Sequence, residues 1–260
     1  MTRYFIPALA AAALAVPAGA QAKVVELGAG GQPAAKSNCP ADPCATAFQV
    51  TAYQGRSGNL KNPFVIPRPG KIVAFSVSLG ALTPVQVQAF QGSFGENSEV
   101  QLSILRRSTK RGTRSNHRLM SQSKVYRVNS FFGSTPTFAL DEPLRVQKDY
   151  RVALTVVTWA PVLDTVDLPG TNWWRSSRPK GECGGGKVLS PPSVHDELKE
   201  IVSYGCTYFK SRFLYTATYI PDPRPTDTPE KPKKKASASN SSAALPAVQL
   251  SAAGGGALTP

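Results

Sequence analysis

Apolar and polar side chains alternate with a period of two along much of the chain, the mark of strands with one buried face. Over Lys71–Leu79, Val73, Phe75, Val77 and Leu79 point one way and Ala74, Ser76 and Ser78 the other. Over Glu99–Arg107, Val100, Leu102 and Ile104 alternate with Gln101 and Ser103. Tyr150, Val152, Leu154 and Val156 share a face of Asp149–Thr158, and Phe209, Phe213, Tyr215, Ala217 and Tyr219 share a face of Tyr208–Ile220. Ala45–Tyr53, Ser121–Asn129, Thr135–Leu140 and Thr171–Arg175 are shorter candidates, and Arg68-Pro69-Gly70, Leu168-Pro169-Gly170 and Gly184-Gly185-Gly186 punctuate the gaps. Half-buried strands of this kind predict an all-β chain, an antiparallel β-sandwich of the jelly-roll type, with a closed barrel as the alternative. One helical period stands out. Ser193 with Asp196 three residues on reads as a capping box, Val194, Leu198, Ile201 and Val202 follow at helical spacing, and Gly205 ends it.

The two ends break the alternation. Arg3 precedes an apolar run, Tyr4–Val16, which closes on Pro17 and on Ala18-Gly19-Ala20 and Ala20-Gln21-Ala22. This predicts a secretory signal peptide over 1–22, cut after Ala20 or Ala22, because the run is too short to span a bilayer. No transmembrane segment is expected elsewhere. From Pro221 the chain turns to Pro, Lys, Ser, Ala and Gly without an aromatic residue, so 221–260 reads as a disordered tail. Between them lie a lead, 23–44, and one domain, 45–220, long enough to bury its own core.

Cysteine usage agrees with export. Cys39, Cys44, Cys183 and Cys206 form an even set, which in an exported chain reads as two disulfides. Of the three pairings, Cys39–Cys44 and Cys183–Cys206 is favoured: the first closes a tight loop through Pro40 and Pro43, the second staples a long excursion that contains the predicted helix. A four-cysteine metal site is disfavoured, since Cys183 and Cys206 lack short ligand spacing.

The order "PGKIVAFSVSLG", "VQLSILRR", a basic loop and "FALDEPLRVQKDYRVALTVV" resembles uncharacterised secreted β-sandwich proteins of high-GC bacteria, over about Pro69 to Pro161. In that group a Pro-Gly turn opens one strand and a "pl.v..gd...l" segment enters another. Here Lys148 stands where the Gly before Asp149 is usual. The resemblance implies fold and a secreted, extracellular location and carries over no functional residue.

Charge narrows the field of ligands. The sequence holds 30 Lys+Arg against 16 Asp+Glu. Without Arg3 and the tail's five basic and three acidic residues, 24 basic and 13 acidic remain, a net of +11. Arg106 to Arg127 contains eight basic residues and no acid: Arg106, Arg107, Lys110, Arg111, Arg114, Arg118, Lys124 and Arg127. The first six occupy a stretch, Arg106–Arg118, rich in Ser, Thr, Gly112 and Asn116, which predicts an exposed hairpin tip that attracts anions at long range. The competing reading is a surface that merely keeps the protein soluble. Export and the lack of a recognisable nucleic-acid module argue against a dedicated nucleic-acid target.

Catalytic chemistry is hard to place. Gly181-Glu182-Cys183-Gly184-Gly185-Gly186-Lys187 has phosphate-loop spacing, but Val188 stands where the Mg²⁺-binding hydroxyl belongs, so the glycines read as a turn and no cofactor is expected. The two histidines, His117 and His195, have no G-x-S-x-G elbow to serve. His195, Asp196, Glu197 and Glu200 form no HExxH, and acids early in a helix follow from its dipole. Glu96 with Glu99, Asp141 with Glu142 and Asp164 with Asp167 are carboxylate pairs among which nothing selects a glycosidase pair. Trp159, Trp173 and Trp174 remain. In a strand-like segment the 173–174 rings face opposite sides, one to the core and one outward, where a sugar could stack. The sequence thus leads to a secreted, non-catalytic protein that engages an anionic polymer or polysaccharide of the cell surface. Arg106, Arg107, Lys110, Arg111, Arg114 and Arg118 would steer the ligand, and Trp159, Trp173 or Trp174 would supply contact. The rivals are a structural or protein-interaction component of the envelope and a hydrolase with an unrecognised site.

Overall fold

The structure, a computed structural model, describes residues 23–30, 36–184 and 190–224. The predicted signal peptide, most of the tail and Gly185-Gly186 lie outside them. The chain is mostly β, built of antiparallel sheets, one of them curled into a half-barrel. In order, the strands are β1 (Val25–Leu27), β2 (Ala47–Ser57), β3 (Leu60–Lys61), β4 (Gly70–Val77), β5 (Glu99–Arg107), β6 (Asn116–Gln122), β7 (Tyr126–Arg127), β8 (Thr137–Val146), β9 (Tyr150–Ala160), β10 (Leu163–Asp164), β11 (Trp173–Ser176), β12 (Ile201–Ser203), β13 (Cys206–Phe209), β14 (Arg212–Phe213) and β15 (Tyr215–Pro221). Among the described residues there is one α-helix, α1 (Pro84–Phe94), between β4 and β5. A four-stranded sheet runs β1-β15-β4-β8, and a nine-stranded sheet runs β12-β6-β5-β9-β2-β11-β13, with β3 on β2 and β7 on β5. β10 and β14 form a separate pair. Among the described residues no helix is long and apolar enough to cross a membrane.

One apolar cluster serves both large sheets: Ile72, Phe75 and Val77 of β4, Val146 of β8 and Ala217 of β15 meet Val100, Leu102 and Ile104 of β5 and Val152, Leu154 and Val156 of β9. The predicted faces of β5 and β9 are therefore the core faces. In β4 the register shifts between Ile72 and Ala74, so Ile72 instead of Val73 enters the core beside Phe75; a bulge moves every earlier side chain to the other face. The expected single strand Tyr208–Ile220 is three. Lys210 takes φ 52°, and the chain leaves the large sheet after β13, pairs through β14 with β10, and joins the small sheet as β15. Phe209, expected inward, is left exposed at this corner. β15 carries through Pro221, past the expected boundary at 220.

Both disulfides pair as expected, Cys39–Cys44 and Cys183–Cys206. The helix expected inside the second is absent. The segment instead crosses the outer face of the large sheet, turning at Glu197–Glu200, where Lys199 takes φ 70°. Ser193 N–H donates to the Gln49 carbonyl (2.8 Å) and Leu119 N–H to the Glu200 carbonyl (3.1 Å), and β12 pairs with β6. Ser193 and Ser177 exchange hydroxyl-to-carbonyl hydrogen bonds, so the expected capping hydroxyl is spent on the sheet. Leu198 and Ile201, which the helical period placed inward, are exposed. Backbone donors with sheet partners available outweighed a weak local period. The real helix starts at Thr83, whose hydroxyl accepts from Gln86 N–H while the Gln86 side chain accepts from Thr83 N–H, with Pro84 in its first turn. It lies on the surface, Phe94 stacked on Phe48 at 4.6 Å and Phe90 5.4 Å from Trp159.

The excursion buries the polar face of the large sheet. There Thr155 Oγ1 lies 2.8 Å from Thr51 Oγ1 and 2.7 Å from Ser103 Oγ. Thr51 Oγ1 accepts from His195 N–H (3.0 Å), and Gln122 Nε2 donates to Ser103 Oγ and to the His195 carbonyl, each at 3.1 Å. Beside this network a second apolar cluster gathers Tyr53, Leu105, Leu119, Ala153 and Tyr204. Both histidines are enclosed here at 0% exposure. His117 Nδ1 lies 2.8 Å from the Ser115 carbonyl, and His195 Nδ1 lies 3.2 Å from Tyr204 Oη.

Burial, then the charge of Arg151, lowers the His117 pKa to about 3, against the hydrogen bond to Ser115, which raises it. Burial also lowers the His195 pKa. A depressed histidine favours the fold fully above about pH 6.5, its unfolded value, and loses that stabilisation as pH falls toward its folded value. Between pH 6.5 and 4.5, His117 is expected to cost roughly 1.4 kcal/mol per pH unit. His117→Phe should flatten this slope by about that amount in urea unfolding across the window. Parallel slopes for variant and wild type would refute it.

Candidate functional site

The basic stretch is the β5–β6 hairpin. Arg106 stands opposite Arg118 and Arg107 opposite His117, so β6 starts inside the expected loop and the tip is confined to 108–115. Polar groups build the tip: Ser108 Oγ lies 2.7 Å from Thr113 Oγ1, Thr113 N–H donates to the Lys110 carbonyl (3.2 Å), and Gly112 takes φ 82°. Arg107 Nε donates to the Arg114 carbonyl at 3.0 Å. Direct opposition of arginines is a cost the sheet bears, since like charges across a strand pair repel.

This hairpin walls a cavity of about 950 Å³. Arg106, Arg107, Lys110, Arg114 and Arg118 line it from the hairpin side, and Lys148 and Arg151 join them from the turn into β9 and its first residues. Asp149 is the one carboxylate in the lining, which makes seven cations to one acid. None of the seven lies in a salt bridge among the described residues. The opposite wall is firm. Asp149 and Asn62 hold left-handed turns at φ 67° and 51°. Asp149 N–H donates to the Ile66 carbonyl (2.9 Å) and Ile66 N–H to the Tyr150 carbonyl (2.8 Å).

Arg151 is the unusual member. It is 6% exposed, with its guanidinium carbon 4.0 Å over the Tyr53 ring. Nη2 donates to Asn62 Oδ1 at 3.4 Å, and buried Nε has no acceptor. Burial lowers its pKa, partly offset by Tyr53, yet an arginine stays charged. The protein's other buried arginines are supplied: Arg178 Nη2 donates to the Phe48 carbonyl and Arg212 Nε to Asn172 Oδ1, both at 2.8 Å. The cation–π contact with Tyr53 recovers part of the lost hydration, but no carboxylate balances the Arg151 charge among the described residues.

Of the expected site residues, Arg106, Arg107, Lys110, Arg114 and Arg118 converge on the cavity, while Arg111 is exposed outside its lining. The tryptophans do not join them. Trp159 is fully buried and donates from Nε1 to the Gly95 carbonyl at 2.8 Å, anchoring the end of α1; it offers no surface to a ligand. Trp174 faces the core, 4% exposed, its Nε1 donating to Ser211 Oγ at 3.0 Å and its ring stacked on Tyr208 at 4.0 Å. Trp173 faces the other way, as alternation requires, but its ring packs against Gly55, where a Cβ would collide with it. Trp174 and Tyr208 border a second groove of about 500 Å³ with Phe48 and the exposed Phe209. Neither histidine lines the basic cavity or this groove.

Sequence reasoning missed Lys148, Arg151 and Asn62. Arg151 had a readable signal: it falls on the face of β9 opposite Tyr150, Val152 and Leu154, next to small Ala153 and Thr155, a face that the excursion later buries. An uncompensated buried charge destabilises a fold. Arg151→Met, which keeps a flexible stem against Tyr53, should therefore be more stable in urea unfolding by about 1 kcal/mol. A clear loss of stability would show that the arginine is a structural tie.

No family model, curated protein or solved structure matches the chain.

Proposed function

We propose that the protein is a secreted, non-catalytic binder of an anionic polymer or polysaccharide of the cell surface, and that the ligand docks in the cavity beside the β5–β6 hairpin. One observation carries the reading: seven cationic side chains surround one cavity with a single carboxylate in its lining, and none of the seven is in an ion pair among the described residues. A surface that only confers solubility has no reason to turn its charges toward one concavity, where they repel. Low-dielectric walls focus that field and raise the local concentration of anions. Two disulfides suit an oxidising, extracellular setting. We read the two large sheets as a jelly-roll-type β-sandwich, a reading supported by their shared core and by the crossing between sheets after β13. Lys148, which stands where the resembling group has Gly, supplies one of the seven charges.

A second reading is favoured by Phe209, 63% exposed beside the Trp174–Tyr208 groove. An aromatic at that rim suits a protein partner or a neutral saccharide.

Co-sedimentation of the mature protein with acidic polysaccharide, polyphosphate and a neutral glycan across a salt series separates the two. Retention on acidic material should fall steeply with salt. The triple variant Lys110→Ala, Arg114→Ala, Arg118→Ala should lower the slope of log affinity against log salt by about two to three. Retention that ignores both salt and the triple variant would refute the polyanion reading. Salt-resistant retention on the neutral glycan, lost in Phe209→Ala, would establish the groove instead.

A further inference from the structure

We propose that the basic cavity seats one discrete phosphoryl group, with the buried guanidinium of Arg151 as its anchor and Lys148 and Arg107 closing on it from the two walls. This deepens the polyanion reading and rests on it for the location of the site. A diffuse polyanion needs only an exposed basic surface, and the hairpin tip supplies one. Arg151 adds little to such a surface. At 6% exposure it contributes weakly to the outward field, and its desolvation works against the fold. Its position makes sense if something small and anionic enters far enough to meet it.

Three features select the group. The first is an unmet donor, the buried Nε of Arg151, on a side chain that lines the cavity. Its guanidinium is held by Tyr53 on one face and by Asn62 at Nη2. A guanidinium fixed in this way is ordered before the ligand arrives, so little side-chain entropy is lost on binding. The second is direction. Arg107 ends β5 on the hairpin wall, Lys148 sits in the turn before β9, and Arg151 is the second residue of β9, opposite Leu105 of β5. A carboxylate presents two oxygens in one plane and is satisfied by a single arginine fork. A terminal phosphoryl group presents three acceptor oxygens in three directions, which suits a lining that supplies cationic donors from the hairpin, the turn and β9. The third is charge. A net excess of six cations in the lining calls for a ligand that concentrates charge, and a phosphate monoester carries about −1.5 to −2 at neutral pH.

The source of the phosphoryl group is either free phosphate or a phosphate ester, and cavity size bears on it. About 950 Å³ sits at the upper end of small-molecule sites, roughly 300–1,000 Å³, so there is room for an attached polyol or sugar.

The test is calorimetric titration and thermal unfolding of the mature, disulfide-bonded protein with inorganic phosphate, glycerol 3-phosphate and acetate, at ionic strength held constant with sodium chloride. Phosphate and glycerol 3-phosphate should bind saturably, near one per chain, and raise the unfolding temperature; acetate should match chloride. Tenfold tighter binding of glycerol 3-phosphate than of phosphate would identify an ester as the ligand, and equal binding would identify the free ion. Arg151→Met should weaken phosphate binding at least tenfold, and the exposed-site variant Lys148→Ala threefold to tenfold, which guards against a folding artefact at Arg151. Phosphate acting no differently from chloride, or binding Arg151→Met as tightly as wild type, overturns the proposal. If that happens while salt-sensitive polymer retention persists, the polyanion reading stands without a discrete site. If phosphate binds in an Arg151-dependent way but no polymer is retained, the discrete site stands and the polymer reading falls.

Discussion

The outer face of the nine-stranded sheet has to be covered, and most of what is distinctive in this protein follows from how. The inner face is an ordinary apolar core shared with the four-stranded sheet. The outer face carries Thr51, Ser103 and Thr155 at 0% exposure, hydroxyls that cost free energy in a dry interior unless each is paired. They are paired with one another and with His195 and Gln122. That pairing requires residues 193–203, within the loop closed by Cys183–Cys206, to lie across the sheet. A helix there would keep its backbone groups for itself. The Gln49 carbonyl and the Leu119 N–H, which now pair with Ser193 and Glu200, would lose those partners. The disulfide ties the near end of the excursion, Cys183, to Cys206 at the start of β13, so the cover cannot drift far from the surface it completes.

Covering stops short of the end of the sheet. Along β9 the same face runs Thr155, Ala153, Arg151 toward the turn at Asp149. The first is sealed by hydroxyl bonds, the second by Tyr204 and Leu119, and the third lies at the margin, where the cover gives way to the cavity. His117 lies nearby on β6, and its pKa is depressed by burial and then by Arg151. Two nitrogen-bearing side chains are thus enclosed near each other without an acid. The histidine resolves this by staying neutral. The arginine cannot, because no accessible pH deprotonates it.

The strands were legible in the sequence because alternation is a property of each strand alone. Val100, Leu102 and Ile104, or Val152, Leu154 and Val156, declare a buried side wherever their partners lie. The misplaced parts depended on tertiary information. The Ser193–Val202 period resembles a helix, yet the sheet edge at β6 and the Gln49 carbonyl offer better partners. The helix that does form announces itself only through Thr83, Pro84 and Gln86, on a segment whose residues are half-buried or exposed and so give no strong apolar stripe. Val73 reads as inward because a bulge between Ile72 and Ala74 has no local signature. At the site, the hairpin arginines are readable as a charge run. Arg151 shows only its face on β9, and neither it nor Lys148 shows the cavity, which they reach only through the pairing of β9 with β5. The tryptophans mislead because their size suggests a binding platform, whereas Trp159 holds α1 and Trp173 covers Gly55.

The cavity is also built before any ligand arrives. Hydroxyl and backbone bonds internal to 108–115 hold the hairpin tip, and backbone bonds between Ile66 and the Asp149–Tyr150 turn hold the opposite wall. None of these uses a carboxylate. Like charges at Arg106 and Arg118 therefore remain opposed in the free protein, and their repulsion is part of its resting free energy. An anion that enters such a site gains its own attraction to the walls and also relieves that repulsion, while preorganised walls keep the ordering cost low. An acid paired with Arg107 or Arg151 would stabilise the fold, and among the described residues neither has one. Unpaired charges at this margin cost stability, and the two-sided burial of the sheet behind it offsets that cost.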